Sequence, residues 1–524
     1  MGYPAIGRQR PGKGSKPVEY HAPTSLGESP LSMHPARATI TTKHLARVFG
    51  AMLLTSSFIC FAQLSASAGL PDEGDCPEVT LKPEGDAPKV DAVAIALKPG
   101  MVLLKEDLML LRQLIPKEFW RHREVFFHEG MRLVVGPCHR RYGIPDFFRE
   151  ATEKFAGQAK VDNDGNLTQY TAGLPFPQDQ IDPKDKKSGA HWAFNVQERY
   201  IGAGFLGKFR ISDFPNRVGE MQEYDGEFFV LKVSHRADLA AQDYHIPKRQ
   251  KMEFASGGEF HRPFNARHLA WRQFRPKRAS ERYREPDDIF TYIPSMRKVR
   301  RAAISWVDGL YVPKYSVTGD GGGGQLTYGE TGSISPTAGY SIATSEDMRR
   351  GLIGLTLRAN AYAWRIAGET DVLAPINANG SGYPILKDRN FGTSGLSFAN
   401  DRWDVRHALI LEGSLRVKNL DVAYVKIYVD YQTLQPLYWI TRTSRQRLLD
   451  IGAFAYKFSD DLTSAPEWPG GVPASAFIPV AAAFYDAGAG AGGWRRESYD
   501  IETTPPSDAL QRSMTTSDGL GRGH

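Results

Sequence analysis

At 524 residues the chain could hold several domains, and its formal net charge of +6 invites a nucleic-acid reading. That charge is unevenly placed: residues 1–68 carry seven Lys/Arg and two Asp/Glu, which leaves 58 against 57 for the rest. A nucleic-acid binder needs a concentrated basic face, so the near-neutral remainder excludes that class.

Residues 1–68 read as a leader. Residues 1–32 are rich in Gly, Pro and Ser with no apolar period, and Met33 is a second candidate start. Arg37, Lys43 and Arg47 precede the apolar run Val48 to Leu64, and Ala66-Ser67-Ala68 supplies the small residues that a signal peptidase reads, with the cut placed after Ala68. The run is too short and too polar to be kept as an anchor, since about 20 apolar residues are needed to cross a bilayer. Cys60 lies in this leader behind the bulky Ile59, which rules against acylation, and leaves with it. Cys76 and Cys138 stay, in an oxidising compartment where two cysteines either pair or remain thiols. The leader predicts that the mature chain works outside the cytoplasm.

Residues 69–502 read as a single β-rich domain. Leu103, Leu104, Leu108, Leu111 and Ile115 fall on one helical face, Pro116 stops that helix, and Lys117 to Glu129 continues as a second helical or irregular stretch; both are placed as caps on a sheet. A strand follows at Met131 to Val135. From about residue 190 the pattern becomes aromatic and β-branched in short runs: Trp192 to Tyr200, Phe205 to Ile211, Glu227 to Ser234, Asp288 to Ile293 and Val299 to Val307. In this region Lys298, Arg300 and Arg301 read as a solvated basic strand face. Ala423, Val425, Ile427 and Val429 alternate with Tyr424, Lys426, Tyr428 and Asp430, turn at Gln432 to Pro436 and return through Leu437 to Thr443, a hairpin with one face to bury. Ile451 to Phe458, Ile478 to Tyr485 and Trp494 to Ile501 extend the meander. Glu346 to Arg358 is a predicted helix, Gly319 to Gly324 and Ala374 to Ser397 are predicted loops, and 503–524 is a predicted disordered tail. The fold class is α+β, mainly β, built on one large antiparallel sheet.

No motif nominates catalysis. Gly202-Ala203-Gly204-Phe205-Leu206-Gly207 matches G-x-G-x-x-G, but Lys208 to Ile211 continues as strand where a dinucleotide site needs a helix N-terminus. No histidine pair has H-E-x-x-H spacing, and His122 and His128 do not share a helical face. Asp162-Asn163-Asp164-Gly165 begins like a calcium loop but lacks the closing Glu, which favours a hairpin turn. Gly392-Thr393-Ser394-Gly395 is one residue short of a nucleophile elbow, and no spacing singles out a carboxylate pair. Neither cofactor nor metal is expected.

Five stretches resemble domain-of-unknown-function family 1329, exported bacterial proteins similar to outer-membrane lipoprotein-sorting proteins. They are Leu97 to Gly100, Gly130 to Leu133, Tyr170 to Pro177, Tyr292 to Arg301 and Val429 to Tyr438. The resemblance implies an open half-barrel like that of the Lol carriers, with helices over its concave side and an apolar cavity between. Phe229, Leu231, Val233, Val425, Ile427 and Val429 are the candidates for the cavity wall, although the same alternation fits a filled core. The function this implies is non-enzymatic: carriage of a lipid, acyl chain or other apolar ligand toward the outer membrane or a transporter partner. The competing classes are an envelope scaffold, which needs a large exposed apolar patch, and an enzyme on envelope glycans or lipids, which needs a cleft with converging acid and base groups.

Overall fold

The structure is a computed structural model that describes residues 70–81, 93–214, 222–294, 297–301, 304–307, 309–313, 341–343, 354–379, 395–417, 422–488 and 492–520. Fifteen strands make one open sheet, numbered here in chain order. They are β1 (Val102–Leu103), β2 (Leu133–Cys138), β3 (Gly204–Phe214), β4 (Gln222–Lys232), β5 (Met252–Arg262), β6 (Ala270–Pro276), β7 (Asp288–Ile293) and β8 (Lys298–Arg301). The later strands are β9 (Tyr362–Ala374), β10 (Arg402–Leu415), β11 (Tyr424–Asp430), β12 (Pro436–Arg442), β13 (Leu448–Phe458), β14 (Phe477–Asp486) and β15 (Trp494–Glu502). Their order is β8-β7-β6-β5-β4-β3-β15-β14-β13-β12-β11-β10-β2-β1, with β9 also on β10. Every pairing is antiparallel except β2 with β10. Two meanders are thus joined where the chain's last strand, β15, pairs with β3.

Sequence alternation holds through most of this sheet, and the predicted hairpin forms as β11 and β12, with Ile427 facing Trp439. Its polar face is not solvated as expected. Tyr428 and Asp430 are buried too, because Asp430 accepts from the Arg406 guanidinium and from the backbone N–H of Gln432 and Thr433, at 3.0 and 2.7 Å, so that it closes the turn. The caps also form, in a shorter style than the apolar period suggested. Lys105–Gln113 is a 3₁₀ helix, followed by α1 (Lys117–Arg121) and α2 (Arg123–Phe126). Phe119 from α1 lies 4.8 Å from the Tyr438 ring of β12, and Leu373 of β9 donates to the Leu114 carbonyl at 2.7 Å.

One stretch is corrected outright. Trp192 to Tyr200 is mostly helix, not strand: beyond the short α3 (Asp146–Lys154), α4 spans Ser188–Glu198. Gly189, Trp192, Ala193 and Val196 recur at helical spacing and are buried together, a period masked by the aromatic residues in the run. A Cβ on Gly189 would stand 2.7 Å from the Arg365 Cα, so glycine lets α4 lie directly on β9. The C-terminal tail is corrected as well: α5 (Asp508–Met514) is capped by the Ser507 hydroxyl, and Met514 and Leu520 are buried. Polar composition concealed those two anchors.

Asp162–Asn166 turns a two-strand hairpin between Lys160–Val161 and Leu167–Thr168, with Asp162 accepting from the Asn166 N–H at 2.8 Å. Cys76 and Cys138 are joined by a disulfide that ties the N-terminal lead to the end of β2. The Gly319 to Gly324 loop, most of the Ala374 to Ser397 loop and residues 346–353 of the predicted helix lie outside the described residues; Gly354 to Arg358 is turn and extended chain rather than helix.

Candidate functional site: an apolar slot beneath the C-terminal segment

The six candidate wall residues do not share one cavity. Val425, Ile427 and Val429 sit within the main core, with Leu409, Leu411, Trp439 and Ile440 around them, all essentially without exposed surface. Their surroundings are those of a filled core. Phe229, Leu231 and Val233 belong to a separate, smaller cluster with Ile246, Ala255 and Met514. The pleat of β4 accounts for this: Phe228 and Val230 point into a second core with Phe209, Phe260 and Trp271, whereas Phe229 and Leu231 point to the other face.

On that face a small slot has about 10 Å³ of free space, room for about one water molecule. Leu206 of β3, Phe229 and Leu231 of β4, and Pro506 and Met514 of the C-terminal segment line it, with Glu502 and Thr504 at its rim. As it stands it is far below the roughly 300–1,000 Å³ of ordinary ligand pockets. The C-terminal segment is what limits it. That segment leaves β15, lays Met514 on the cluster, accepts a hydrogen bond from Arg249 Nε on the Thr515 hydroxyl at 3.1 Å, and ends with Leu520 packed on Ala270 and Tyr292.

One cation stands beside the slot. The Arg272 guanidinium of β6 lies 5.0 Å from the Phe229 ring, reaching across Gly257 of β5, where a Cβ would come within 2.9 Å of Arg272 Cδ. Burial pulls the Arg272 pKa down to about 10, against the raising influence of Glu259 and Glu227. The wall is therefore apolar with one partly desolvated positive group.

The G-x-G-x-x-G glycines have a different use. A Cβ on Gly204 would meet the Val230 carbonyl at 1.8 Å and one on Gly207 the Asp500 carbonyl at 1.9 Å, so these positions let β3 sit between β4 and β15. The chain continues past them as strand β3 to Phe214.

One cluster of perturbed acid and base groups lies at the end of α4, apart from Asp404 and His407 on β10. Glu198 at the end of α4 accepts from Lys232 Nζ at 3.0 Å, from Gln197 at 3.0 Å and from the Tyr170 hydroxyl at 3.4 Å, and Tyr170 stacks on His235 at 4.3 Å. Ser280 joins this group to Glu253 at 3.0 Å. Burial, then the charge of Glu198, pushes Glu253 up to about 7, and burial pulls His235 down to about 4. All four of Glu198, Glu253, Ser280 and His235 are buried, and their bonds pin α4 to β4 and β5. The arrangement stabilises a helix–sheet contact. Among the described residues no group of His, Cys, Asp and Glu is placed to hold a metal ion, and no helix is long and apolar enough to cross a membrane.

Sequence reading missed the C-terminal half of the slot and Arg272. The one available signal was Leu510 and Met514 at i, i+4 behind the Ser507 cap.

Residues 124–313 match the model for a family described as protein of unknown function, DUF1329. The resemblance to that family stands. Three of the five stretches that carry it in the sequence, Gly130 to Leu133, Tyr170 to Pro177 and Tyr292 to Arg301, fall within the matched span. Among solved structures the chain is similar to a DUF1329 family protein from Desulfovibrio piger, at 15% identity and TM-score 0.36, covering 63% of this chain and 97% of that one. It is also similar to a putative outer membrane lipoprotein-sorting protein domain from Vibrio parahaemolyticus, at 12% identity and TM-score 0.34, covering 63% and 99%. A LolA superfamily protein from Nitrosomonas europaea follows, at 12% identity and TM-score 0.29, covering 61% and 96%. No curated protein matches the chain.

Proposed function

We propose that this is an exported, non-enzymatic envelope protein that takes a lipid or acyl chain against the β3–β4 face and hands it toward the outer membrane or a transporter partner. The observation that carries this reading is the slot wall: Leu206, Phe229, Leu231 and Met514 bring apolar side chains of β3, β4 and the C-terminal segment together. An acyl chain in water gains about 0.8 kcal/mol for each methylene it buries, and this is the driving force available to displace the C-terminal segment. Arg272 beside Phe229 suits an amphiphile whose head is anionic.

Binding requires the C-terminal segment to lift, because the closed slot is short of a full chain's volume. Lifting it exposes two buried anchors, Met514 and Leu520, and breaks one side-chain hydrogen bond from Arg249. Native mass spectrometry of the protein purified without detergent from its own envelope, followed by solvent extraction, tests the reading. A stoichiometric apolar adduct supports it and gives the cargo. A clean protein mass, with no uptake of an added fluorescent fatty acid, would overturn it.

A further inference from the structure

We propose that the sheet end bearing the β5–β6 connection is a docking tip for an anionic lipid bilayer. The proposal is independent of the slot and starts from Phe264, the most exposed of the large apolar side chains at 83%. Single exposed apolar residues are ordinary on protein surfaces, so exposure alone says little. The setting of this one is unusual. Phe264 is at the apex of a hairpin, in a one-turn 3₁₀ helix (Phe264–Ala266) whose following residues Ala266 and Leu269 are fully buried. His268 donates its N–H to the Phe260 carbonyl at 2.8 Å and Ala266 donates to Pro263 at 2.9 Å. The ring is thus held out into solvent on an anchored turn.

Its shoulders are basic. Arg262 and Arg267 flank it and are exposed. Strand register sets the neighbouring turn at the same end of the sheet: Ala270 pairs with both Glu259 and Tyr292, and Ile293 pairs with Lys298, which brings exposed Arg297 and Lys298 alongside. The nearby acids are largely engaged. Asp225 lies between Arg210 and Arg262, at 2.7 and 3.3 Å, Glu259 holds His268 at 2.8 Å, and exposed Glu223 reaches Ser212 at 3.5 Å. The basic strand Lys298 to Arg301 acquires a use in this arrangement, with exposed Val299 at 41% between its charges.

An aromatic apex with cationic shoulders fits a bilayer interface. The ring reaches below the phosphates while the guanidinium groups remain at their level, and each Lys or Arg near an anionic surface adds attraction that salt screens. An acidic protein surface would satisfy the charges but leave Phe264 with nothing to enter.

Vesicle flotation with the full chain tests this. The protein should float with phosphatidylethanolamine–phosphatidylglycerol vesicles, stay down with pure phosphatidylcholine vesicles, and release at high salt. Phe264→Ser should lose about tenfold in partitioning, the scale of one buried Phe, with an unchanged melting curve. Phe264→Trp should restore binding, as Trp favours the interface. Wild type that fails to float, Phe264→Ser that floats equally well, or retention only on an acidic protein matrix would each overturn the proposal. Fatty-acid uptake by Phe264→Ser should be normal, so loss of docking and loss of cargo binding are separate results.

Discussion

The inward faces of β11 and β4 carry the same kind of alternation, yet they meet different partners. Val425, Ile427 and Val429 face apolar residues of neighbouring strands such as Leu409, Leu411 and Trp439, while α1 packs on the other side of the hairpin through Phe119 on Tyr438 and the Arg406–Asp430 pair closes its turn. Phe229 and Leu231 face a small cluster and a C-terminal segment held by Met514, by Leu520 on Ala270 and Tyr292, and by one side-chain bond from Arg249. Whether an apolar strand face becomes core or binding wall is decided by what covers it, and the cover comes from remote sequence.

That comparison can be broken at several points. The largest effect is expected on the sealed side: Arg406→Leu leaves Asp430 buried without its cation and should cost about 3–5 kcal/mol in denaturant unfolding, with fatty-acid uptake unchanged at temperatures where the protein stays folded. Ile427→Ala should cost about 2–5 kcal/mol, because a site enclosed by Leu411 and Trp439 cannot collapse around the cavity. Leu231→Ala should fall at the low end, about 2 kcal/mol, since the C-terminal segment can settle into the space, but it should weaken uptake several-fold. Equal stability losses at Ile427 and Leu231, or weakened uptake from Ile427→Ala, would erase the distinction.

The smallest expected effect concerns pH. Glu253 has a folded pKa raised to about 7, so the stability it contributes is present below its unfolded value near 4.5 and is lost as pH rises through 7. His235 is depressed to about 4, so its contribution is present above 6.5 and is lost as pH falls through 4. Glu253→Gln keeps the geometry without the charge. Melting curves from pH 5 to 8 should therefore drop less for Glu253→Gln than for wild type, and identical slopes would contradict that account of the buried cluster.

Strands β3, β4, β7 and β11 to β15 were legible because period-two alternation survives single-sequence noise, and the β11–β12 turn carries its own signal in Gln432 to Pro436, whereas β5, β6, β9 and β10 were not read as strands. The α4 stretch was not, since Trp192 and Phe194 raise strand propensity while tertiary contact with β9 selects helix. Half of the candidate wall was legible as well: β4 alternation picks out Phe229 and Leu231. Met514 was hidden in a polar tail and Arg272 in an ordinary strand, because their roles arise only from contacts across the sheet. Nothing in the spacing of Val425, Ile427 and Val429 could have told them from the β4 residues.

The measurement that tests the central claim most directly is photo-crosslinking with a diazirine fatty acid on the full chain, with adducts mapped by peptide mass spectrometry. Adducts on the peptides carrying Leu206, Phe229 to Leu231 and Met514, reduced by competing unlabelled fatty acid, are the predicted result. Competable adducts on the Val425 to Val429 peptide instead, or none that compete, would contradict the assignment of the β3–β4 face as the binding wall.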